Sequence, residues 1–323
     1  MIFNVNSSAG KIPISVVPST NSSFTYDGNS KTPVWQNYDA EQLSINGDTS
    51  AINAGTYKVY FTPKEDYEWS DGTSAPVEVL WSIAKAAGSL SLSATSGKIE
   101  GKSATKTFTV TRSGDGTISV SSSNTSVATV SLSGTTVTIT SKGYGSATIT
   151  VSVAEGTNHK APSNATYSVT VDYVYLYNAG TQNTAVTGGW QTGTQTFNDS
   201  EVSGAAPTIT NNGTSIKITA KSGAKGGIYR TVNKVSLKNA TTLRFTGSAT
   251  GDDENAGGNE RCAIMIWSSM GTYMNNNRVA QYYFKKNFSG DATINVSSLT
   301  GSYYIGFHVY DGRNVTMQKL RLE

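Results

Sequence analysis

Apolar and polar residues alternate along most of the chain with a period of two. In the segment Tyr57–Phe61, for example, Lys58 separates two large side chains, Tyr57 and Val59. Clusters of Gly, Asn, Asp and Ser interrupt such stretches about every 8–12 residues, a rhythm typical of β-sandwiches and barrels. No segment shows the i, i+3, i+4 apolar spacing of an amphipathic helix. The pattern therefore predicts an all-β fold.

Turn clusters and strand counts divide the chain into four parts. Residues 1–11 form a short N-terminal arm. Residues 12–86 and 87–172 each have the length of a small sandwich domain. Residues 173–323 contain eight or nine strand candidates, which suits a larger, jelly-roll-like β-sandwich.

Two series of motifs resemble known repeats. In residues 12–86, the motifs that resemble the YDG/MBG type of bacterial immunoglobulin-like repeat are Tyr26–Pro33, Asn53–Tyr57, Tyr67–Thr73 and Trp81–Ala86. In residues 87–172, those that resemble the bacterial immunoglobulin-like group 2 domain are Ser123–Val130, Gly134–Ile139 and Gly145–Val151. The resemblance implies two tandem immunoglobulin-like β-sandwiches that serve in surface adhesion or display.

The tandem also resembles minor structural and decoration proteins of tailed phages that infect gut Firmicutes. The third unit is similar to the C-terminal sandwich of those proteins through Thr187–Trp190 and Val296–Gly306. The resemblance implies a place on the virion, as a capsid decoration protein, a head fibre or a tail-associated protein. The start Met1-Ile2-Phe3 without a secretory signal favours a protein made in the host cytoplasm. A fragment of a secreted protein is the alternative.

The charge and cysteine content limit the kinds of partner and crosslink that the sequence allows. Only 15% of residues are charged, against about 25% in an average protein. The net charge of +3 is spread without a block of Lys and Arg, which argues against nucleic-acid binding. The single cysteine, Cys262, allows no internal disulfide. No apolar run reaches the length of about 18 residues that a membrane span needs.

Catalytic motifs are absent from the sequence. There is no Gly-x-Ser-x-Gly elbow, and His159, His308 and Cys262 do not have the spacing of a zinc site. His159 falls in a turn and is expected to be solvated. The segment Gly97–Ser103 lacks the four-residue spacing of a phosphate-binding loop and predicts a hairpin turn. We therefore predict that the chain is not an enzyme and name no catalytic residue.

One acidic cluster leaves three interpretations open. Its members are Asp252, Asp253, Glu254 and Glu260. They fit an exposed loop between two strands, a calcium site, since calcium prefers several hard oxygen ligands, or a paired-carboxylate glycosidase site. Structural calcium is the one cofactor that the sequence suggests.

Aromatic residues beside amide and guanidinium groups suggest a glycan-binding surface in the third unit. Such amphipathic side chains are the usual chemistry of recognition loops. The candidates are Trp190, Tyr273, Asn275, Asn276, Asn277, Arg278, Tyr310, Asp311, Arg313 and Asn314. The competing interpretation is that these aromatic residues belong to the core.

Three functions fit these observations. The first is a virion accessory protein that displays the sandwiches, contacts capsid or tail proteins through residues 1–11 or the first unit, and binds host glycans with the third. A short arm can add a strand to a neighbouring subunit, and we expect a homo-oligomer. The second is a fragment of a bacterial cell-surface adhesin. The third is a carbohydrate-active enzyme with its site in residues 173–323.

Overall fold

The computed structural model describes residues 10–194, 205–224, 226–250, 262–270 and 277–323. The regular secondary structure of these ranges is almost entirely β-strand, and the prediction of an all-β fold built from sandwiches is confirmed. The one departure within them is a single helical turn, α1 (Thr184–Thr187). In the described ranges no helix has the length and apolar character needed to cross a membrane. Of the predicted N-terminal arm, residues 1–9 lie outside the described residues.

The first unit packs a four-stranded sheet, in the order β2-β6-β4-β3, against the parallel pair β1-β5. The alternation predicted for β4 is observed, because Val59 and Phe61 are fully buried while Lys58 is exposed. Trp81 is also buried, and its indole N–H donates to the Asp48 carbonyl at 2.7 Å. The strands are β1 (Ile12–Ile14), β2 (Phe24–Thr25), β3 (Leu43–Gly47), β4 (Gly55–Pro63), β5 (Tyr67–Trp69) and β6 (Val77–Ala84).

The second unit is a sandwich of two four-stranded sheets, β10-β13-β14-β8 and β11-β12-β9-β7. Phe108 and Tyr167 stack in its core with ring centroids 4.6 Å apart. The segment Gly97–Ser103 comprises most of β8 and the turn that leads to β9, and these two strands lie in opposite sheets, so the predicted hairpin is wrong. The strands are β7 (Ser89–Leu92), β8 (Ser96–Glu100), β9 (Thr105–Ser113), β10 (Ile118–Ser122), β11 (Ala128–Ser133), β12 (Thr136–Ser141), β13 (Gly145–Val153) and β14 (Ala165–Asp172).

A loop of the second unit is fixed to the first unit by Asn158. Its Oδ1 accepts a hydrogen bond from the Ala54 N–H at 2.8 Å, and its Nδ2 donates to Asn53 Oδ1 at 3.2 Å. The Asn158 N–H donates in turn to Asp115 Oδ2 at 2.9 Å, and this bond holds the pKa of the Asp115 carboxyl below its usual range. One amide side chain thus joins two sandwiches.

His159 belongs to the same joint. Its ring lies edge-on to Tyr26, with centroids 5.3 Å apart, and its Nδ1 is 3.2 Å from Asp115 Oδ1. Nearby, Lys85 pairs with Glu155 at 2.5 Å. The turn that was expected to be solvated is therefore part of an interface between the first two units.

The third unit is a larger sandwich of a seven-stranded and a six-stranded sheet. In the first of these, β27 pairs with β22 along one edge and with β15 and β19 along the other, while β25, β16 and β18 lie further out. The second has the order β17-β20-β26-β23-β24, with β21 also on β26. The strands are β15 (Val174–Asn178), β16 (Thr181–Gln182), β17 (Trp190–Thr194), β18 (Thr208–Asn211), β19 (Ile216–Thr219), β20 (Gly227–Thr231), β21 (Val235–Ser236), β22 (Thr242–Ala249), β23 (Ala263–Trp267), β24 (Arg278–Tyr283), β25 (Phe288–Asn295), β26 (Ser302–Val309) and β27 (Asn314–Leu322).

A second joint connects the second and third units through aromatic rings. Tyr144 and Tyr173 lie with centroids 4.1 Å apart. The Arg321 guanidinium lies 4.5 Å from the Tyr173 ring centroid, and Lys102 Nζ lies 4.9 Å from that of Tyr144. Burial of this contact raises the pKa of Tyr144 to about 12. Both connections along the chain are therefore packed contacts.

We predict that Asn158→Ala loosens the first joint, because it removes the two hydrogen bonds that the Asn158 side chain makes to the first unit. Each bond contributes about 1 kcal/mol. Small-angle scattering should show a broader distribution of distances, and the unfolding midpoint should fall slightly. The matched control is Asn124→Ala, whose side chain bonds only Ser126 within the second unit. Equal scattering from the two variants would show that Asn158 does not hold the joint.

Candidate functional site

The six-stranded sheet of the third unit has apolar side chains on both faces. The inner face contributes Ile264, Ile305 and Phe307 to the core between the two sheets. Residues that pair across an antiparallel sheet share a face. The residues that alternate along each strand with these inner residues therefore lie together on the opposite side of the sheet, which we call the outer face. Its members are Gln191, Gly193, Ile228, Arg230, Ala263, Met265, Trp267, Gln281, Tyr283, Tyr304, Gly306 and His308.

The outer face has a buried apolar floor. Ile228, Ala263, Met265 and Trp267 are all at most 1% exposed. Partly buried side chains at the margin of this cluster are Met270, Tyr283 and Tyr304. A surface of this kind, apolar below and aromatic at its margin, resembles the lining of ligand sites more than an ordinary solvated sheet face.

Arg230 is the central polar residue of the outer face. Its guanidinium lies 4.7 Å from the centroid of the Tyr304 ring, and Nη1 donates to the Thr231 carbonyl at 2.8 Å. With the Gln191 amide oxygen turned toward it, that oxygen accepts from Nη1 at 3.0 Å and also from Nη2. Desolvation lowers the pKa of Arg230 below its ordinary value, although the group stays charged.

A glycine gives Arg230 the space to lie flat on the sheet. Gly306 is its partner on β26, and a Cβ at that position would lie 2.7 Å from Arg230 Cβ and 2.7 Å from the Tyr229 carbonyl oxygen. The aliphatic stem of Arg230 therefore crosses Gly306 while its charged end reaches the margin. Long cationic side chains commonly bury their stems in this way.

A small pocket opens beside Arg230. Its volume is about 190 Å³, and the lining residues are Gln191, Thr192, Gly193, Thr194, Ile228, Arg230 and Met270. Among the described residues, nothing lies within 4 Å of where a Cβ on Gly193 would be, so the glycine leaves this side of the pocket open. The pocket is smaller than the roughly 300–1,000 Å³ of sites for drug-sized ligands. It suits one small group or the end of a chain.

Arg278 is the predicted glycan-binding residue that reaches the outer face. Its Nη1 donates to the Tyr283 hydroxyl at 3.2 Å. Asn277, next to it, uses its carbonyl to accept from the Ser268 N–H at 2.9 Å. The predicted residues Tyr273, Asn275 and Asn276 lie outside the described residues.

The other predicted loop lies at the opposite end of the sheet. Because β23 and β26 are antiparallel, Trp267 and Tyr304 pair at one end and Ala263 and His308 at the other. Tyr310 follows the second end and is six residues from Tyr304, or roughly 20 Å along the strand. The structure therefore separates Arg278, which pairs with Trp267, from Tyr310, although both were predicted to bind glycans.

That far loop is built by internal contacts. Asp311 has a positive φ of 39°, and its Oδ1 accepts from the Gly223 N–H at 2.7 Å. Tyr310 is 9% exposed and lies beneath the Arg313 guanidinium, 5.5 Å away. Asn314 pairs through its backbone with Thr250. These contacts account for Tyr310 and Asp311 without a ligand.

Trp190 is directed to the inner face. Its ring stacks on Tyr229 and Phe307, at centroid distances of 5.2 and 6.1 Å, and packs against the main core. Its indole N–H is buried without a hydrogen-bond partner. This packing fits the core interpretation left open above, and Trp190 does not reach the outer face.

The proposed calcium ligands Asp252, Asp253, Glu254 and Glu260 lie outside the described residues. Within the part of the chain that the structure describes, no three His, Cys, Asp or Glu side chains are grouped to hold a metal ion. The calcium interpretation stays a prediction.

The sequence patterns did not indicate three residues of the candidate site, Gln191, Arg230 and Lys234. Lys234 Nζ lies 5.7 Å from the Tyr304 ring centroid, on the same aromatic side chain as Arg230. In the sequence, Arg230 is one polar residue in the strand Gly227–Thr231, and the alternation gives no sign that its face is covered. Only the pairing of β17, β20 and β26 brings these groups together.

No protein-family model and no curated protein matches this chain. A carbohydrate-binding module of the β-sandwich superfamily is 14% identical, with 73% of this chain and 97% of that one covered and a TM-score of 0.29. Domains 4 and 5 of the surface-layer protein SbsC are 17% identical, with 48% and 96% covered and a TM-score of 0.26. A three-domain immunoglobulin structure of titin is 8% identical, with 91% and 86% covered and a TM-score of 0.26. Likeness of this size transfers no activity to this chain.

We predict that Gly306→Ala destabilises the third unit and displaces Arg230, because the new methyl group meets backbone and side chain at 2.7 Å. Overpacking of this kind costs about 1–3 kcal/mol. Denaturant unfolding measures the loss. Gly193→Ala is the matched control on the same face, where the methyl group meets nothing within 4 Å. Equal stability of the two variants would contradict the close packing of Arg230.

Proposed function

We propose that the chain is a non-catalytic surface protein whose third sandwich binds a saccharide on its outer face. The observation that carries the proposal is the Arg230 guanidinium on the Tyr304 ring, beside the Gln191 amide at an open pocket. Sugars present apolar C–H faces together with hydroxyl groups. An aromatic ring with neighbouring fixed hydrogen-bonding groups complements both.

The lining of the pocket supports binding without turnover. Glycoside hydrolysis uses a pair of carboxylic side chains, and among the described residues that line the pocket there is none. The carbohydrate-active enzyme alternative depends on Asp252, Asp253, Glu254 and Glu260, which the structure does not describe. We assign the pocket to the recognition of a saccharide.

The first two units serve as a spacer in this proposal. Asn158 fixes the first unit to the second, and the Tyr144–Tyr173 contact fixes the second to the third. A spacer with packed joints presents the third sandwich in a set direction. Many copies on one particle would then strengthen a weak single contact through avidity.

We further propose that the surface is that of a phage virion. The support is the resemblance of residues 12–172 to immunoglobulin-like repeats of tailed-phage structural proteins. Capsid or tail proteins would be the partners of residues 1–11 or of the first unit, in a homo-oligomer. A bacterial cell-surface adhesin uses the same modules and is the alternative that the test below addresses.

We predict that the full-length chain, coupled to multivalent beads, binds a subset of saccharides on a glycan array. Gly193→Leu should weaken that binding about tenfold or more, since its side chain fills the pocket and a loss of ~1.4 kcal/mol is enough. Gly193→Ala should bind nearly as well as the wild type. Absence of binding by wild-type beads, or equal binding by both variants, would remove the proposed site.

We predict that mass spectrometry detects peptides of this chain in density-purified phage particles. The same measurement on washed cell walls from uninfected bacteria is the control. Detection in the cell walls and not in the particles would favour the adhesin alternative and end the virion proposal. Immunogold labelling of the particles would then distinguish head from tail.

A further inference from the structure

We infer that the saccharide recognised at the outer face carries a carboxylate, which Arg230 binds. This inference rests on the proposed function and adds the chemical class of the ligand. It depends on the charge of the outer face, on the N–H groups of Arg230 that remain available, and on the size of the pocket.

The described residues of the outer face carry positive charge without a compensating carboxylate. Arg230 and Lys234 both lie on the Tyr304 ring, and Arg278 bonds the Tyr283 hydroxyl. No acidic residue in the described ranges forms an ion pair with any of the three. An anionic ligand is electrostatically complementary to this surface, whereas a neutral ligand forms no ion pair with its cationic side chains.

Arg230 differs from a solvated surface cation because it is partly removed from water. It is half-buried, and desolvation disfavours its charged form, as the lowered pKa shows. A charge removed from water is normally paired. The partners within the chain are the neutral oxygens of Thr231 and Gln191, so the guanidinium gains more from an anion than an exposed lysine does.

The hydrogen bonds of Arg230 leave one edge of the guanidinium available. Nη1 uses its two N–H groups on the Thr231 carbonyl and the Gln191 amide oxygen, and Nη2 uses one on the same amide. Nε–H and the second N–H of Nη2 remain, and they point in parallel from one edge of the planar guanidinium. Two parallel donors fit the two oxygens of a carboxylate, whereas a hydroxyl group offers one oxygen.

The pocket that Arg230 lines limits what the ligand can present. A volume of about 190 Å³ suits a chain end or a single charged substituent. The open side at Gly193 leaves room for the remainder of a saccharide to extend into solvent. A terminal or side-chain acidic sugar meets both conditions.

The test compares matched pairs of acidic and neutral saccharides on the full-length chain. The probes are oligogalacturonate against its methyl ester, and sialyllactose against lactose, each presented on an array and then titrated. We expect the wild type to prefer the acidic member of at least one pair by about 10- to 100-fold, the range for a charge-assisted pair of hydrogen bonds. Added salt should reduce the preference.

Two variants connect the preference to Arg230. Arg230→Lys keeps the charge and removes the two-pronged donor, so the acidic probe should lose most of its advantage while the neutral probe changes little. Lys217→Ala removes an exposed charge from β19 of the opposite sheet and should leave the preference intact. Unfolding midpoints near that of the wild type confirm that each variant is folded.

The outcomes separate this inference from the proposed function. Equal binding of acidic and neutral probes by the wild type, or a preference that Arg230→Lys leaves unchanged, overturns the carboxylate assignment and leaves saccharide binding in place. Binding to a sulfated probe alone also overturns it. Failure of the wild type to bind any saccharide overturns the proposed function together with the inference.

Discussion

Burial of both faces of one sheet is the constraint on which the third unit depends. Antiparallel sheets commonly have one face solvated, yet β23 buries all five of its residues, Ala263–Trp267. Its inner residues fill the sandwich core, and its outer residues form the floor under Arg230. Polar groups beside such a floor lose much of their water and need defined partners. The arrangement of Arg230, Gln191 and Tyr304 follows from that requirement.

Glycine positions determine how the charge is accommodated. Arg230 lies across Gly306, where a methyl group would meet backbone, and the pocket opens over Gly193, where a methyl group would meet nothing. The first glycine lets a long side chain lie close to the sheet, and the second leaves the adjacent space empty. A cation held on one side of an opening is pre-organised for a ligand, because its orientation costs little further entropy on binding.

Alternation of side chains made the fold class predictable, because Val59 and Phe61 point inward whatever strand pairs with β4. The candidate site was far less predictable. Arg230 acquires its role from β17 and β26, which are distant in sequence, and no local pattern reports that pairing. Aromatic residues were also ambiguous, since Trp190 turns inward to stack on Tyr229 while Tyr304 lies at the margin of the outer face. Antiparallel register, which the sequence does not state, places Arg278 and Tyr310 at opposite ends of the sheet.

The packed joints between the units affect how strongly several copies of a weak site can bind at the same time. A single small pocket with one charge-assisted contact gives modest affinity, and avidity requires that several copies engage together. Flexible connections would spread the sites over many orientations, and each engagement would have to restrict them again. Asn158 and the Tyr144–Tyr173 contact restrict those orientations before any ligand is present. Rigidity in residues 12–172 and the recognition that we propose for residues 173–323 therefore act on the same quantity, the free energy of simultaneous attachment.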